Sequence, residues 1–304
     1  INKQKIDAMP LNGRNFLQLA LLEPGVSVSA KDPGSQNNLF NVSIGGASSA
    51  LTRLTVDGGS IVDPFCGGAA QNFSTETVQE FQISTYNFDL STGVTSVGAI
   101  NIVSRTGGNE YHGSGFLYFR DHNLSAVPTL QKPSKNFDPF FRRYQYGGSI
   151  GGPIKKDKAF FFGNVEWLNQ DTVVSNVVTG FAGFSQFNTT FASPYDGVLL
   201  NTRGDFTISD KNKVFTRYSF DNNKTFAPDG GNILPSRWRD NRSRDHNAQA
   251  GLTTLFTNTL VNDFRFNFQR ITNDELVPSE SQCPASNPAC LGRGGMQINF
   301  VSSN

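Results

Sequence analysis

Histidine, cysteine and methionine are scarce in this chain of 304 residues, which contains 3 His, 3 Cys and 2 Met. His112 and His122 flank a predicted strand without the HExxH or HxH spacing of a metal site. We interpret them as surface residues at strand ends. The chain also lacks a G-x-S-x-G nucleophile motif and a Walker A loop. We therefore predict no catalytic residues, no cofactor and no metal site, and the residues that bind substrate stay undetermined.

Long apolar runs and a strong net charge are also missing. No stretch of about 18 apolar residues exists, which argues against a helical membrane protein. The mean hydropathy is −0.34 and the formal net charge is +1, so no global field favours nucleic acid as a partner. The chain begins at Ile1 without a signal peptide and ends inside a predicted strand, Met296 to Val301. We expect a fragment cut at both ends.

The three cysteines permit more than one interpretation. Cys283 and Cys290 lie close together in a loop with Pro and Ser, whereas Cys66 is distant in a Gly-rich segment. A loop disulfide between the first two suits an oxidising compartment, although connectivity does not follow from sequence. A zinc site fits less well, because no histidine lies nearby and the spacing is wrong. The aspartates Asp57, Asp63 and Asp89 likewise match no EF-hand loop.

The chain is rich in phenylalanine, with 27 residues. In several segments apolar and polar residues alternate with a period of two. From Leu260 to Gln269, one face carries Phe264, Phe266 and Phe268, and the other carries acidic, basic and amide side chains. Successive side chains of a strand point to opposite faces. An apolar face toward lipid and a polar face toward a wet lumen are typical of a membrane β-barrel. The alternative is a soluble β-sheet with a buried aromatic face.

Seven strands are predicted after residue 110: Gly113–Arg120, Tyr144–Gly151, Ala159–Gln170, Val198–Ser209, Lys213–Asp221, His246–Thr257 and Thr259–Arg270. Short turns alternate with long polar connections at 121–143, 171–197, 222–245 and 271–295, which is the layout of outer-membrane barrels. Six side chains are expected to line a polar lumen wall: Arg203, Asp205, Arg217, Asp221, Asp263 and Arg265. Tyr144, Tyr146 and Trp167 suit interfacial aromatic girdles.

The first hundred residues contain short segments with mixed helix and strand patterns, which predict a small α+β domain. Asn15–Leu22 and Ser74–Phe81 are expected to be helices, the second with Ser74 or Thr75 as its N-cap. Strands are expected at Leu54–Val56, Phe81–Ser84 and Ala99–Val103. Far from this domain, the charged run Arg237–Asp245 is interpreted as a solvated loop that enters a strand. Its functional alternative is an extracellular loop that contacts an anionic ligand or lipopolysaccharide.

Several motifs resemble those of a known family. Gly98–Asn109 resembles the segment that closes the plug domain of TonB-dependent outer-membrane receptors, and Tyr111–Phe116 resembles the start of their first barrel strand. Leu11–Phe16 with Pro24-Gly25-Val26, and Thr55–Gly59, are similar to plug motifs. Together with Tyr146–Ile154, followed by Lys158–Phe162, they are most similar to the Oar-like subgroup.

This resemblance implies a fold, a location and partners. It implies an α+β plug domain at 1–108 and, at 109–304, the first antiparallel strands of an incomplete transmembrane barrel. The family barrel has about 22 strands, of which about seven or eight lie here. Expected partners are outer-membrane lipid, a TonB-type energy-transducing complex and an unknown substrate. The implied function is transport across the outer membrane by energised plug movement, without enzyme activity. A structural or adhesive surface barrel and a secreted carbohydrate-active sandwich are the alternatives.

Overall fold

The computed structural model describes residues 1–9, 11, 14–30, 39–64, 67–85, 95, 97–125, 140–176, 189–227, 238–287 and 290. Their strands form three sheets of two, four and eight strands. The two small sheets belong to an N-terminal domain, and the large one is a curved wall that we call the strand wall. No helix in the described part of the chain is long and apolar enough to cross a membrane.

The N-terminal domain is mainly β, with helical segments of one or two turns. It contains α1 (Lys3–Ala8), 3₁₀ helices at Phe16–Leu22, Ser49–Leu51 and Thr75–Thr77, and the strands β1 (Val26–Ala30), β2 (Phe40–Ile44), β3 (Thr52–Val56), β4 (Gly59–Ser60), β5 (Val78–Ser84) and β6 (Gly98–Ser104). The larger of its two sheets has the order β4-β3-β6-β5, in which β3 and β6 run parallel. Its core is aliphatic and aromatic, with Phe16, Leu54, Phe81 and Ile100 among the fully buried side chains.

The strand wall is antiparallel throughout. Its strands are β7 (His112–Asp121), β8 (Phe141–Lys155), β9 (Ala159–Asn176), β10 (Thr189–Ala192), β11 (Tyr195–Ser209), β12 (Asn212–Ala227), β13 (Arg239–Leu255) and β14 (Val261–Leu276). A 3₁₀ turn at His122–Leu124 follows β7. The order is β14-β13-β12-β11-β9-β8-β7, with β10 paired to the far end of β9. Within the described residues, β7 and β14 do not pair, so the barrel stays open there.

The two faces of the wall differ as the alternation predicts. Phe264, Phe266 and Phe268 are 60%, 56% and 51% exposed on the outer face of β14. On the neighbouring strand, the inward residues Asn247 and Gln249 are buried against the N-terminal domain. A soluble sandwich would cover the phenylalanines with a second layer, and the described residues place none there.

One predicted helix is wrong. Ser74–Phe81 forms only the 3₁₀ turn Thr75–Thr77 and then enters β5. The capping signal itself is real, because Ser74 Oγ accepts a hydrogen bond from the Glu76 backbone N–H at 3.2 Å. Val78 and Phe81 are buried by pairing with β6. This tertiary pairing outweighs the local helix preference. The other expected helix is present as the 3₁₀ helix Phe16–Leu22.

The long connections are shorter than predicted, because the strands continue into them. β12 extends to Ala227 and β14 to Leu276, and β10 lies inside the expected loop 171–197. The interpretation of Arg237–Asp245 as a solvated loop is also wrong for its described part, since Arg239–Asp245 belongs to β13. These strand ends lack apolar alternation, so sequence gave no signal for them. Arg237, Cys66, Asp89, the predicted strand Met296–Val301 and parts of the motif Leu11–Phe16 lie outside the described residues.

At one end of the wall lie the long connections between strands, and we call this the long-loop end. A small apolar cluster forms there. Cys283 and Cys290 form a disulfide with their Cα atoms 5.5 Å apart. The pair is buried with Phe191 of β10, Phe226 of β12 and Trp238, which directly precedes β13. The indole of Trp238 contacts both phenylalanine rings edge-on, with ring centroids 4.9 and 5.6 Å away. This cluster therefore ties together segments that are distant in sequence.

Candidate functional site: the contact between the N-terminal domain and the strand wall

The contact centres on a tight turn between β3 and β4. Val56 pairs with Gly59, so Asp57 and Gly58 form a two-residue hairpin loop with φ values of 51° and 80°. Two central residues with positive φ are typical of a type I′ turn, for which Asp-Gly is a preferred sequence. The turn is held within its own domain, since Ser104 donates to the Asp57 carboxylate from its N–H at 2.9 Å and its hydroxyl at 2.7 Å.

Four neighbouring strands of the wall contact this one turn. The Asp57 carboxylate binds Arg203 of β11 through Nη1 at 2.9 Å and Arg217 of β12 through Nε at 3.1 Å. The Asp57 carbonyl oxygen accepts hydrogen bonds from Gln249 of β13 and Arg265 of β14, each at 2.9 Å. Because the backbone and the side chain of one residue engage four strands, the position of the turn fixes the N-terminal domain against the wall.

Glycine at two positions permits this close approach. A Cβ added to Gly58 would lie 2.0 Å from Arg265 Nη1, and one added to Gly59 would lie 2.7 Å from Asn267 Oδ1. Neither distance is compatible with a side chain unless the wall residue moves. Asn267 instead donates to the Ser60 carbonyl at 3.1 Å. The sequence Asp57-Gly58-Gly59 therefore serves both the turn and its fit to the wall.

A second polar centre surrounds Glu76. Its carboxylate lies 2.9 Å from Arg14, 3.5 Å from Arg105 and 3.7 Å from Lys3. Ser114 of β7 donates to it at 3.2 Å. Glu76 thus connects the N-terminal segment, the end of β6 and the first strand of the wall.

Arg14 extends from the N-terminal domain to that same first strand. Its Nη1 donates to the Tyr118 hydroxyl at 2.7 Å, and its guanidinium lies over the rings of Phe116 and Tyr118 at 4.6 and 4.7 Å. An arginine stacked on aromatic rings combines dispersion with cation–π attraction. Arg14 therefore holds the N-terminal segment to β7 by several kinds of contact.

Two further carboxylates of the wall accept hydrogen bonds from the N-terminal domain. Asp221 accepts from the Asn72 backbone N–H at 2.9 Å, and Glu166 accepts from the Ser74 hydroxyl. Both carboxylates are buried. A small cleft with a volume of about 30 Å³ lies beside Glu166, between the domain and strands β8, β9 and β11.

The contact between domain and wall is thus built from charges, amides and hydroxyls. A polar interface exchanges its hydrogen bonds for water when it opens, whereas an apolar one would lose its burial energy outright. Breaking one buried ion pair is still costly if a charge is left without a partner.

Four of the six residues predicted for the lumen wall contact the N-terminal domain directly: Arg203, Arg217, Asp221 and Arg265. Asp205 and Asp263 act on their neighbours instead, by pairing with Arg203 and Arg265 respectively. The partners on the N-terminal domain were missed, because no sequence signal links a turn or a cap to a distant strand. Asp57 was recognised only as part of the motif Thr55–Gly59, without its partners on the wall.

The histidines do not assemble into a site. His112 and His122 stand at the two ends of β7, as predicted, while His246 lies within β13 and contacts the Tyr218 hydroxyl at 2.8 Å. Among the described residues, no group of three His, Cys, Asp or Glu side chains could hold a metal ion.

The fold and this interface define a class of protein: a β-barrel wall with polar inner and apolar outer faces, occupied by a small domain. Sequence comparison agrees. The family described as "Outer membrane beta barrel domain" matches residues 103–199 and 180–301. The chain belongs to this family, which places it in the outer membrane.

The chain is also similar to particular proteins, one by sequence and two by structure. The chain is 32% identical over 196 residues to the TonB-dependent transporter Oar of Myxococcus xanthus, a match that covers 60% of this chain and 17% of that protein. The outer membrane transporter YddB of Escherichia coli superposes with a TM-score of 0.68 at 12% identity, covering 90% of this chain and 38% of YddB. The siderophore receptor PirA of Acinetobacter baumannii gives 0.60 at 14%, covering 100% and 42%.

These comparisons confirm the expected likeness to Oar-like TonB-dependent receptors, the outer-membrane location and an open, mostly antiparallel barrel. The solved structures, being under 25% identical, support the fold alone. The chain spans about a sixth of the length of Oar. The relatives are transporters and receptors, which favours a role other than catalysis.

Proposed function

We propose that residues 1–108 form a plug and residues 109–304 the first wall strands of a TonB-dependent transporter. In this proposal the plug closes the lumen, and energised movement of the plug admits a substrate. The observation that carries it is the Asp57 turn, which binds four adjacent wall strands from inside. A barrel of this width needs a filled lumen to avoid an open hole.

The polar character of the contact supports movement rather than permanent attachment. Arg203, Arg217 and Arg265 each have a second partner on the wall, namely Asp205, Asn247 and Asp263. When the plug leaves, these wall residues keep each guanidinium hydrogen-bonded. The cost of opening is therefore lower than for a buried charge left without a partner. A barrel serving only as an anchor has no need for this second set of contacts.

The energy-coupling partner and the substrate are inferred from the relatives. The name of the Oar protein describes a TonB-dependent transporter, so we propose a TonB-type complex as the partner of this protein as well. The substrate class stays open, because long connections contribute ligand contacts whose shape the sequence does not determine.

A reversible tether between plug and wall tests the proposal. Gly59→Cys with Asn267→Cys in the full-length protein joins the turn to β14 at positions whose side chains would touch. The measurement is depletion of medium solutes by the native host, followed by mass spectrometry, in wild-type, gene-deleted and tethered strains. We expect at least one solute whose uptake requires the gene, stops in the tethered strain and returns with reductant.

Single-cysteine variants at the same two positions are the matched controls, and surface labelling establishes equal amounts of protein. An uncoupler should abolish the same uptake in the wild type. Identical depletion profiles in wild-type and gene-deleted cells, or undiminished uptake with the tether closed, would contradict transport by plug movement.

A further inference from the structure

The outer face of strands β12, β13 and β14 changes character toward its long-loop end. On β14 the exposed phenylalanines end at Phe268, and the next outward residue is the exposed Arg270. The register aligns outward residues across the three strands in successive rows: Tyr218, Ala248 and Phe268; Phe220, His246 and Arg270; Asn222, Arg244 and Thr272; Lys224, Arg242 and Asp274. The aromatic band is therefore followed by three rows that together carry four cations, Lys224, Arg242, Arg244 and Arg270, and one carboxylate, Asp274.

The height of the change matches the edge of a membrane. Leu260 to Phe268 spans eight residue steps, or about 20 Å along the barrel axis at the usual rise and strand tilt. The apolar belt of an outer-membrane barrel is about 25 Å tall, with aromatic girdles at both edges. Tyr218 and Phe220, which contact the His246 ring at 6.2 and 5.0 Å between centroids, occupy this edge. Arg244 and Arg270 then lie at headgroup level, on the long-loop side that faces the cell exterior.

The wall neutralises these cations only in part, since Asp240 pairs with Lys224 and Arg242, and Asp274 of β14 lies opposite Arg242. Lys224 and Arg242 lie directly opposite each other on adjacent strands and share one carboxylate, Asp240, at 3.9 and 3.0 Å. Like charges in directly opposite positions are destabilising unless an anion lies between or beside them. Arg244 and Arg270 are exposed, and among the described residues neither forms an ion pair. Positive charge is thus in excess on this surface.

We propose that Lys224, Arg242, Arg244 and Arg270, together the outer cation patch, bind the phosphate groups of an anionic lipid in the outer leaflet. Guanidinium groups match phosphate oxygens in charge and in paired hydrogen-bond geometry. The patch faces away from the lumen, so a substrate crossing the barrel would not meet it. The phenylalanine band directly below would contact the acyl chains of the same lipid. The inference depends on the outer-membrane location and not on transport.

The test uses the full-length protein in detergent micelles, with diphosphoryl lipid A as probe and dephosphorylated lipid A as its matched control. Binding is measured by native mass spectrometry. We expect the wild type to favour the phosphorylated lipid, and Arg244→Gln with Arg270→Gln to weaken that binding by roughly fivefold for each cation removed. Replacing both by lysine should restore part of the affinity.

Arg142→Gln is the control for the removal of charge. Arg142 also faces outward at the long-loop end, but Asp171 already pairs with it at 2.9 Å, so its loss should leave lipid binding unchanged. Equal binding of the two lipids by the wild type would overturn the proposal. So would undiminished binding by the double glutamine variant, or an equal loss in Arg142→Gln.

Discussion

Arg217 of the wall and Asp57 of the N-terminal domain form a buried ion pair, with Nε 3.1 Å from Oδ2 and side chains only 1% and 6% exposed. They are far apart in sequence and belong to different structural units. Arg217 is further held by Asn247 and Gln249 of the neighbouring strand at 2.8 Å each. This buried ion pair joins domain and wall directly, and it makes the contact testable by substitution.

Asp57→Asn should loosen the N-terminal domain severely. The substitution leaves Arg217 buried without a carboxylate partner, whereas Arg203 keeps Asp205, and breaking a buried pair in this way costs roughly 3–5 kcal/mol. The measurement is the urea midpoint at which Thr77→Cys, introduced with Cys66→Ser, becomes reactive to maleimide in the full-length protein. Thr77 is buried against the wall, so labelling reports opening of the contact.

Asp263→Asn provides the control, because Asp263 pairs with Arg265 in an ion pair whose side chains are 44% and 46% exposed. Exposed pairs contribute about 0–1 kcal/mol. Equal midpoint shifts in the two variants would contradict the importance of the Asp57 pair.

Gly58→Ala should cost more than the same change at Gly25. Both glycines have positive φ, 80° and 78°, so both substitutions introduce backbone strain of about 1–2 kcal/mol. An added methyl group meets open space at Gly25 but lies 2.0 Å from Arg265 Nη1 at Gly58. The difference in urea midpoint therefore isolates the displaced Arg265 contact. Indistinguishable midpoints would show that this contact contributes nothing.

Arg14 and Tyr118 should be energetically coupled. Arg14→Lys keeps the charge beside Glu76 but loses the hydrogen bond to the Tyr118 hydroxyl, and Tyr118→Phe removes only that hydroxyl. A double-mutant cycle on the same labelling midpoint should give a coupling of about 0.5–1.5 kcal/mol. Strictly additive effects would mean that the hydrogen bond at 2.7 Å is not formed in the membrane.

Reduction of the disulfide between Cys283 and Cys290 should loosen the long-loop end without opening the contact at Asp57. Closing a loop of this length stabilises by roughly 2–3 kcal/mol in the chain-entropy description. Trp238 packs on this cluster, so reductant should shift its fluorescence toward that of an exposed indole. Cys283→Ser with Cys290→Ser should show the shifted spectrum without reductant. Reductant should then cause no further change in the fluorescence of this variant. If it does, the change seen in the wild type has a cause other than the disulfide.

The alternation in Leu260–Gln269 predicted the faces of the wall correctly, because a strand repeats every two residues whatever its neighbours are. The prediction of a helix at Ser74–Phe81 was wrong for the opposite reason. There the secondary structure is determined by a distant neighbour, because Val78 and Phe81 pair with β6. The strand ends beyond the apolar belt, such as residues 221–225 of β12, are polar on both faces and carry no periodic signal.

The interior contact was only half predictable. A polar lumen wall with Arg203 and Arg217 follows from alternation, but their partner does not. Asp57 looks like an ordinary hairpin residue, and its role depends on how the N-terminal domain meets the wall. The buried positions of Asn72 and Ser74 depend on the same fit, which sequence periodicity does not encode.

The most direct measurement is the accessibility of spin labels placed one at a time along β14, from residue 263 to residue 268, in the full-length protein reconstituted in lipid. If the phenylalanine rows face hydrocarbon and the alternate residues face the domain, labels at 264, 266 and 268 will collide with oxygen, and labels at 263, 265 and 267 will not. Uniform accessibility along the strand, or shielding of the phenylalanine positions by protein, would contradict an outer-membrane barrel filled by its N-terminal domain.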